Sequence, residues 1–331
     1  MFRRVEEHRP LAVFLMGPTG SRKTEVAVDL VQHLPCDIIS VDSAQVFRGM
    51  DVGTAKPSQD VQSIAPHRLI DIRDPSESYS AGQFRGDALR EMEVIVRAGR
   101  IPLLVGGTML YFRALRQGLA ALPTAHPEVR VHLNEEAARI GWPAMHGRLK
   151  AIDPVAARRI HPNDSQRIQR ALEVYRVTGR TLTELLVAPA DKPFPYRVLR
   201  IILVPAQRPV LSERLGQRFR QMLASGLVEE VESLRTHCNL APHMPAMRSV
   251  GYRQVWQYLE GEVEYSAMVE RAIIATRQLA KRQLTWLRVE PGATWLDSLD
   301  PRVAARARDL IERSEAGPTA AYGRRDDNPV K

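Results

Sequence analysis

Cysteine is nearly absent. Cys36 and Cys238 are the two in 331 residues, and they form no CxxC or other metal-ligand spacing. That excludes a disulfide scaffold and fits buried or surface thiols in a reducing compartment. No run of about 18 apolar residues occurs, so no membrane-crossing helix is expected. The opening MFRRVEEHRP carries acids and lacks an apolar stretch, so no signal peptide is expected there and a cytoplasmic location is. No internal repeat is present. Acid is the minority charge, with 38 Asp and Glu against 47 Lys and Arg, which leaves a formal net charge of +9. This excess points to an anionic partner, either nucleic acid or a phosphorylated small molecule.

What is present is a regular alternation. AVFLM (Ala12 to Met16), DIISV (Asp37 to Val41), HRLIDI (His67 to Ile72) and IPLLVGG (Ile101 to Gly107) read as strands, the first and last of them as buried ones. Between the last two, Tyr79 to Ala98 has helical spacing, with Phe84, Ala88, Met92 and Ile95 on one stripe. Strands alternating with helices predict an α/β fold, a parallel sheet of phosphate-binding-loop type flanked by helices. Ligands bind such sheets at the carboxyl ends of the strands. The loop Gly17 to Thr24, the pair Asp42-Ser43 and the run Gly106-Gly107-Thr108 all follow strands, so they are expected to converge on one rim.

From Leu122 to about Ala188 no strand signal appears. Short helices are broken at Gly141-Trp142-Pro143, Asp153-Pro154 and His161-Pro162, which predicts an inserted all-helical domain over 122–188 between two core segments, 10–121 and 189–311. A strand returns in YRVLRIILVPA (Tyr196 to Ala206), followed by helices to about Arg288. Residues 312–331 lack apolar periodicity and are expected to be a disordered tail.

The loop itself reads GPTGSRKT: Gly17, Pro18, Thr19, Gly20, Ser21, Arg22, Lys23 and Thr24. Gly17, Lys23 and Thr24 stand where G-x-x-x-x-G-K-[ST] requires them, between a strand and a helix. In that motif backbone N–H groups surround the phosphates, the lysine adds charge, and the hydroxyl binds Mg²⁺. Arg22 stands where the motif has its second glycine. A Cβ there either strains the loop and crowds the phosphates or leaves the side chain pointing outward as added positive charge. Asp42, ending a strand, is either a turn-capping acid or a functional one.

Taken in order, FLMGPTGSRKT, IISVDSAQVFRGMDVGTAKP, APHRLIDIRDPSESYSA, IPLLVGGTMLYFRAL, HPNDSQRIQRALEVY, RFRQMLASGLVEEV, SVGYRQVWQYLEG and ATRQLAKRQLTWLR resemble the bacterial tRNA dimethylallyltransferases, also called tRNA isopentenyltransferases. The likeness runs from about Ala12 to Arg288 and departs mainly at the loop, where that family reads GPTASGKT. The resemblance implies transfer of a dimethylallyl group from dimethylallyl diphosphate to N6 of the adenosine 3′ of the anticodon, in tRNAs reading codons that begin with U. It further implies Asp42 as the acceptor of the amine proton and Thr108 as a contact to the target near the reacting centre. Lys23, the loop amides and Mg²⁺ at Thr24 would hold the departing diphosphate. A monomer acting on the anticodon stem-loop is expected.

For the RNA, the resemblance implies contacts from Asp42, Ser43, Ala44, Gln45 and Thr108 at the core, and from Arg130, Gln166, Arg167, Ile168, Gln169 and Arg170 in the insertion. It adds Met247, Arg248, Ser249, Val250, Gly251 and Tyr252, and Arg282 in the last block. Residues Arg271 to Arg288 include five basic residues and no acid, and Arg277, Lys281 and Arg288 fall within about 40° of one helix face, while Ile273, Leu284 and Leu287 help supply apolar positions. Such a face suits phosphate contact, although a solvated basic face has the same pattern. A small-molecule kinase with the insertion as its lid would use Lys23 and Thr24 alike. It leaves the dispersed basic blocks without a role. A tRNA-binding protein that has lost catalysis through Arg22 is the remaining reading.

Overall fold

A computed structural model describes residues 9–120, 122–187, 193–238 and 240–316. It divides into two compact units, one made of the chain up to Leu115 together with the chain from Pro195 onward, the other of Arg116–Phe194.

The first unit is built on a six-stranded, wholly parallel sheet of order β3-β2-β4-β1-β5-β6. Its strands are β1 (Leu11–Met16), β2 (Cys36–Val41), β3 (His67–Arg68), β4 (Ile101–Gly106), β5 (Arg197–Val204) and β6 (Thr294–Asp297). Every residue of β1 and β4 is buried, as expected for central parallel strands covered on both faces. Removing a side chain such as Phe14 or Leu15 from water stabilises the sheet by about 1.5–3 kcal/mol each. Helix α1 (Lys23–His33) follows the phosphate loop, and α2 (Gln59–Ile64) is short. Helix α3 (Ala81–Arg97) starts at a capping box in which Ser80 and Gln83 exchange side-chain to backbone bonds. It buries Phe84, Ala88, Met92 and Ile95, the stripe expected from spacing. Helix α4 (Met109–Gln117) leads out of the first unit.

The second unit consists of α5 (Pro127–Ile140), α6 (Trp142–Ile152), α7 (Pro154–Arg159), α8 (Ser165–Thr178) and α9 (Leu182–Val187). They close around Leu133, Met145, Leu149, Ile168 and Leu172. The fully buried Glu173 accepts hydrogen bonds from Arg130 Nε at 2.8 Å, Arg170 Nη1 at 2.8 Å and the His126 amide at 2.8 Å. Burial alone would raise the Glu173 carboxyl, but these bonds together hold it below the ordinary range. The compact unit, Arg116–Phe194, is wider than the 122–188 expected from sequence, because the last two residues of α4, the stretch after them and the residues before Pro195 cluster with it.

The chain then returns through α10 (Arg208–Ala224), α11 (Leu227–His237), α12 (Tyr252–Leu259), the long α13 (Tyr265–Leu287) and α14 (Val303–Glu315). Ile273, Leu284 and Leu287 of α13 are buried, and Arg277, Lys281 and Arg288, grouped on one face as expected, are exposed. Three expectations need correction. HRLIDI forms only two strand residues, because Leu69 and Asp71 take positive φ and turn the chain, Asp71 pairing with the buried Lys56. The strand β6 and the helix α14 were not anticipated. A helix also extends to Glu315, past the expected start of the tail at 312, and that tail otherwise lies outside the described residues from 317 on.

Candidate active site

The phosphate loop leaves the end of β1 and enters α1. Glycine is required at its first position: a Cβ on Gly17 would lie 2.4 Å from the Leu203 carbonyl oxygen of β5. Gly20 takes φ +78°, and Arg22 takes φ 60° and ψ 23°, the left-handed conformation that the motif's glycine would supply. The Arg22 side chain turns to its own helix. Its Nε donates to Glu25 Oε2 at 2.7 Å, and it leaves the loop backbone in the form a glycine would give. Ser21 is fully buried beneath the turn. The Lys23 ammonium donates to the Pro18 carbonyl oxygen at 2.7 Å and to Ser21 Oγ at 3.4 Å. Removal from water pushes that ammonium down to about 7, nearby Arg218 pushes the same way, and Asp42 opposes both. An anion entering the loop would draw the proton back.

The two neighbouring strand ends meet beside this loop. Asp42 Oδ1 accepts from the Ala44 amide at 2.8 Å and the Gln45 amide at 3.3 Å, so the carboxylate caps its own turn. Oδ2 takes no hydrogen bond from the described residues. Thr108 stands just before α4, but its hydroxyl does not cap that helix. It accepts from the Ser43 amide at 3.1 Å and donates to Ser43 Oγ at 3.4 Å, tying the β4 end to the residue after Asp42. Loop 17–24, Asp42-Ser43 and Gly106-Gly107-Thr108 thus converge on one rim, as anticipated.

Two cavities open on this rim, both within the first unit. One, of about 830 Å³, is walled by Lys23, Thr24, Asp42, Arg214, Arg218 and the loop 51–58. The other, of about 630 Å³, is walled by Ser43, Thr108, Arg248, Tyr252, Arg282 and Trp286. They share Thr19, Asp42, Thr54, Gly107, Arg218, Met222 and Gln283. The first cavity therefore gathers cationic side chains with a phosphate loop, and the second has apolar and aromatic walls with arginines at its edge. Burial lowers the Arg218 guanidinium, against the pull of Asp42, and the Arg214 Nε is buried without a hydrogen-bond partner. Such an arrangement can accommodate a phosphorylated group on one side of a carboxylate and a second, partly apolar reactant on the other.

Some expected residues lie elsewhere. Ile168 and Met247 are fully buried in hydrophobic cores, so neither side chain is available to RNA. Their apolar character was the available signal. Tyr252 is fully buried as well, and its hydroxyl donates to Glu230 Oε1 at 2.5 Å. Arg130 and Arg170 are engaged with Glu173, and Gln169 donates to Asn134 Oδ1. Gln166 and Arg167 are exposed, as are Arg248, Arg277, Lys281 and Arg282. Four residues escaped the sequence reading. Arg214 and Arg218 recur at i and i+4 on one face of α10, a signal that was present. Glu230 accepts from the Val52, Asp51 and Gly53 amides at 2.7, 2.9 and 3.2 Å. Gln283 joins two strand-end loops, and nothing local marks either residue.

Fold and site define an α/β group-handling protein of the phosphate-loop class, with an acid between two cavities. Residues 45–290 match the family model described as IPP transferase. The chain is 58% identical over 311 residues to the tRNA dimethylallyltransferase of Thioalkalivibrio sulfidiphilus strain HL-EbGR7, covering 93% of this chain and 97% of that protein. Among solved structures it is similar to the full-length tRNA isopentenylpyrophosphate transferase of Bacillus halodurans, at 35% identity and a TM-score of 0.66, covering 93% of this chain and 99% of that one. A eukaryotic dimethylallyltransferase captured acting on tRNA shares the fold, at 24% identity and a TM-score of 0.76, covering 93% of this chain and 80% of that one. The chain belongs to the IPP transferase family.

Proposed function

We propose that the chain transfers a dimethylallyl group from dimethylallyl diphosphate to N6 of an adenosine in tRNA, the base 3′ of the anticodon in tRNAs reading codons that begin with U. The observation that carries the reading is Asp42 on the wall common to both cavities. The donor diphosphate would lie against Lys23, the loop amides and Arg218, with its allylic carbon directed toward the shared wall. The adenine would enter from the side of Thr108 and Arg248, having left its stack in the loop.

An exocyclic adenine amine is a weak nucleophile, because its lone pair is delocalised into the ring. The reaction therefore depends on making the diphosphate a good leaving group. The N6–C1 bond forms as the C1–O bond breaks, its electron pair leaves with the diphosphate, and the N6 proton passes to Asp42. A turn-capping bond pattern through Oδ1 fixes the carboxylate while it does this. Lys23 gains its full charge as the anion arrives, so the loop's stabilisation is directed at the diphosphate.

Thr24 lies on the donor cavity, and no cluster of three or more His, Cys, Asp or Glu exists among the described residues. That donor set suits Mg²⁺, which takes one or two protein oxygens and completes its shell with phosphate and water. The Thr24 hydroxyl would hold it, and bound Mg²⁺ would neutralise charge on the leaving diphosphate. The acting unit in this reading is a monomer. No described helix is long and apolar enough to cross a membrane, which is compatible with the cytoplasm. Exposed Arg167 of the insertion and Arg277, Lys281 and Arg282 of α13 would meet RNA phosphates of the anticodon stem-loop.

The kinase reading is not favoured, given membership of the family. Against lost catalysis stands the geometry of Arg22, which keeps the backbone turn and points away to Glu25. The test is mass analysis of nucleosides from unmodified tRNA incubated with the protein, Mg²⁺ and dimethylallyl diphosphate. Dimethylallyl-adenosine from U-reading tRNAs is expected, and its absence would refute the proposal.

A further inference from the structure

Gln283 sits between the two halves of the site. Its Oε1 accepts from the Thr19 amide of the phosphate loop at 2.9 Å, across 264 positions of sequence. Its Nε2 donates to the Gly107 carbonyl oxygen at the end of β4, also at 2.9 Å. The amide has one orientation that satisfies both partners. Rotated by half a turn, it would set N–H against N–H at Thr19 and oxygen against oxygen at Gly107. The fit leaves no slack, since a Cβ on Gly107 would lie 2.5 Å from Gln283 Nε2 and 3.1 Å from the Gly17 carbonyl oxygen. Gln283 lines both cavities. Its base is firm: Ala280, Leu284 and Leu287 bury the adjoining turns of a 23-residue helix.

We propose that Gln283 is a positioning residue for the transfer, a clamp that sets the spacing between the donor cradle at Thr19 and the acceptor-side loop at Gly107-Thr108. This rests on the reaction proposed above. The β1 and β4 backbones are already paired up to Met16 and Gly106, but beyond those residues no other side chain bonds to both loops among the described residues. Without the clamp each loop keeps its own strand and loses its registry with the other. In a displacement, a shift of about 1 Å between reactants costs about a hundredfold in rate even where binding survives. Helix α13 also presents Arg282 to the second cavity. A nucleic acid seated on that helix thereby bears on the phosphate loop through Gln283.

The experiment compares wild type with Gln283→Leu, which keeps volume and removes both bonds, and with Gln283→Met, which keeps length and flexibility if the leucine variant folds poorly. Inorganic diphosphate is titrated calorimetrically, the anticodon stem-loop RNA by fluorescence anisotropy, and kcat and KM are measured for both substrates. For both variants we expect kcat to fall about tenfold or more and diphosphate affinity to fall about threefold or more, while RNA affinity stays within about twofold and the melting temperature holds. Wild-type kcat and diphosphate affinity in both variants would overturn the proposal. So would RNA binding and melting temperature falling in step with activity, which is a folding defect. A wild-type chain that transfers no dimethylallyl group counts against the proposed reaction instead, and the diphosphate titration then decides the clamp alone.

Discussion

Replacing Arg22 by glycine and by alanine separates backbone strain from side-chain contact. Arg22 holds φ 60°, and a residue with a Cβ pays about 1–2 kcal/mol there relative to a favoured conformation. Its pair with Glu25 is solvent-exposed, 38% and 60% accessible on the two sides, and contributes at most about 0.5 kcal/mol. Arg22→Ala keeps the strain and loses the pair, so a loss of about 0.5 kcal/mol is expected. Arg22→Gly relieves the strain but loosens the unfolded chain by about 0.4–1 kcal/mol, which leaves it near wild type or slightly above. Glycine should therefore exceed alanine by roughly 1 kcal/mol, read as a separation of urea midpoints at a common slope. Alanine equal to or more stable than glycine would refute the left-handed assignment. The strain is a cost of folding, already present in the unliganded loop. KM for dimethylallyl diphosphate in Arg22→Gly should accordingly stay within about twofold of wild type. A several-fold rise in both variants would show that Arg22 leaves Glu25 and reaches the diphosphate.

Asp42→Asn preserves the turn cap through its oxygen and removes the base, so turnover should fall by about a hundredfold or more with tRNA affinity unchanged; near-wild-type turnover would remove Asp42 from the chemistry. Lys281→Ala and Arg167→Ala should each flatten the salt dependence of tRNA binding by about one phosphate contact, measured as the slope of log K against log salt, and unaltered slopes in both would mean solvated charges only. Glu173 has a depressed pKa in the folded state, so its contribution to the helical unit is complete above the unfolded carboxylate value of about 4.3 and is lost as pH falls through the lower folded value. Glu173→Gln should cost about 1–3 kcal/mol at pH 7 and weaken that acid dependence in a pH series of thermal melts, whereas an unchanged acid limb would place its origin elsewhere.

Much of the fold is legible because burial writes itself into runs of residues. β1 and β4 are apolar throughout since helices cover both faces, and the α3 stripe shows the period of a helix with one face in water. β3 and β6 were misjudged because an edge strand of two or four residues carries too little pattern. At β3, moreover, two left-handed residues end a segment whose composition continues to read as strand. In the site, Gly17, Lys23, Thr24, Asp42 and Thr108 follow strand ends, where local sequence announces a turn. Gln283 lies inside a helix near its end, and its part in the site comes from tertiary packing across 264 positions of sequence, whereas Arg214 and Arg218 leave a trace in their i, i+4 spacing. Ile168 and Met247 show the converse: neighbours in a contiguous motif do not share one surface, since every third or fourth position of a helix such as α8 faces inward, and Met247, in the turn before α12, is drawn into the core beside Tyr252 and Val255.

The strand order has a consequence for how the protein comes off the ribosome. β1 is central, paired on one side with β4 and on the other with β5, which begins at Arg197. The helical unit, Arg116–Phe194, is translated between them. At about 5–20 residues per second, the nascent sheet waits several seconds with the inner edge of β1 unpaired, and as long again for α13 to supply Gln283. During that interval the most apolar strand of the protein is an open edge beside a phosphate loop that has every one of its own residues. Early chain termination would thus release a fragment bearing the entire GPTGSRKT signature, prone to self-association through β1 and lacking the side chains of α10 and α13 that complete the cradle.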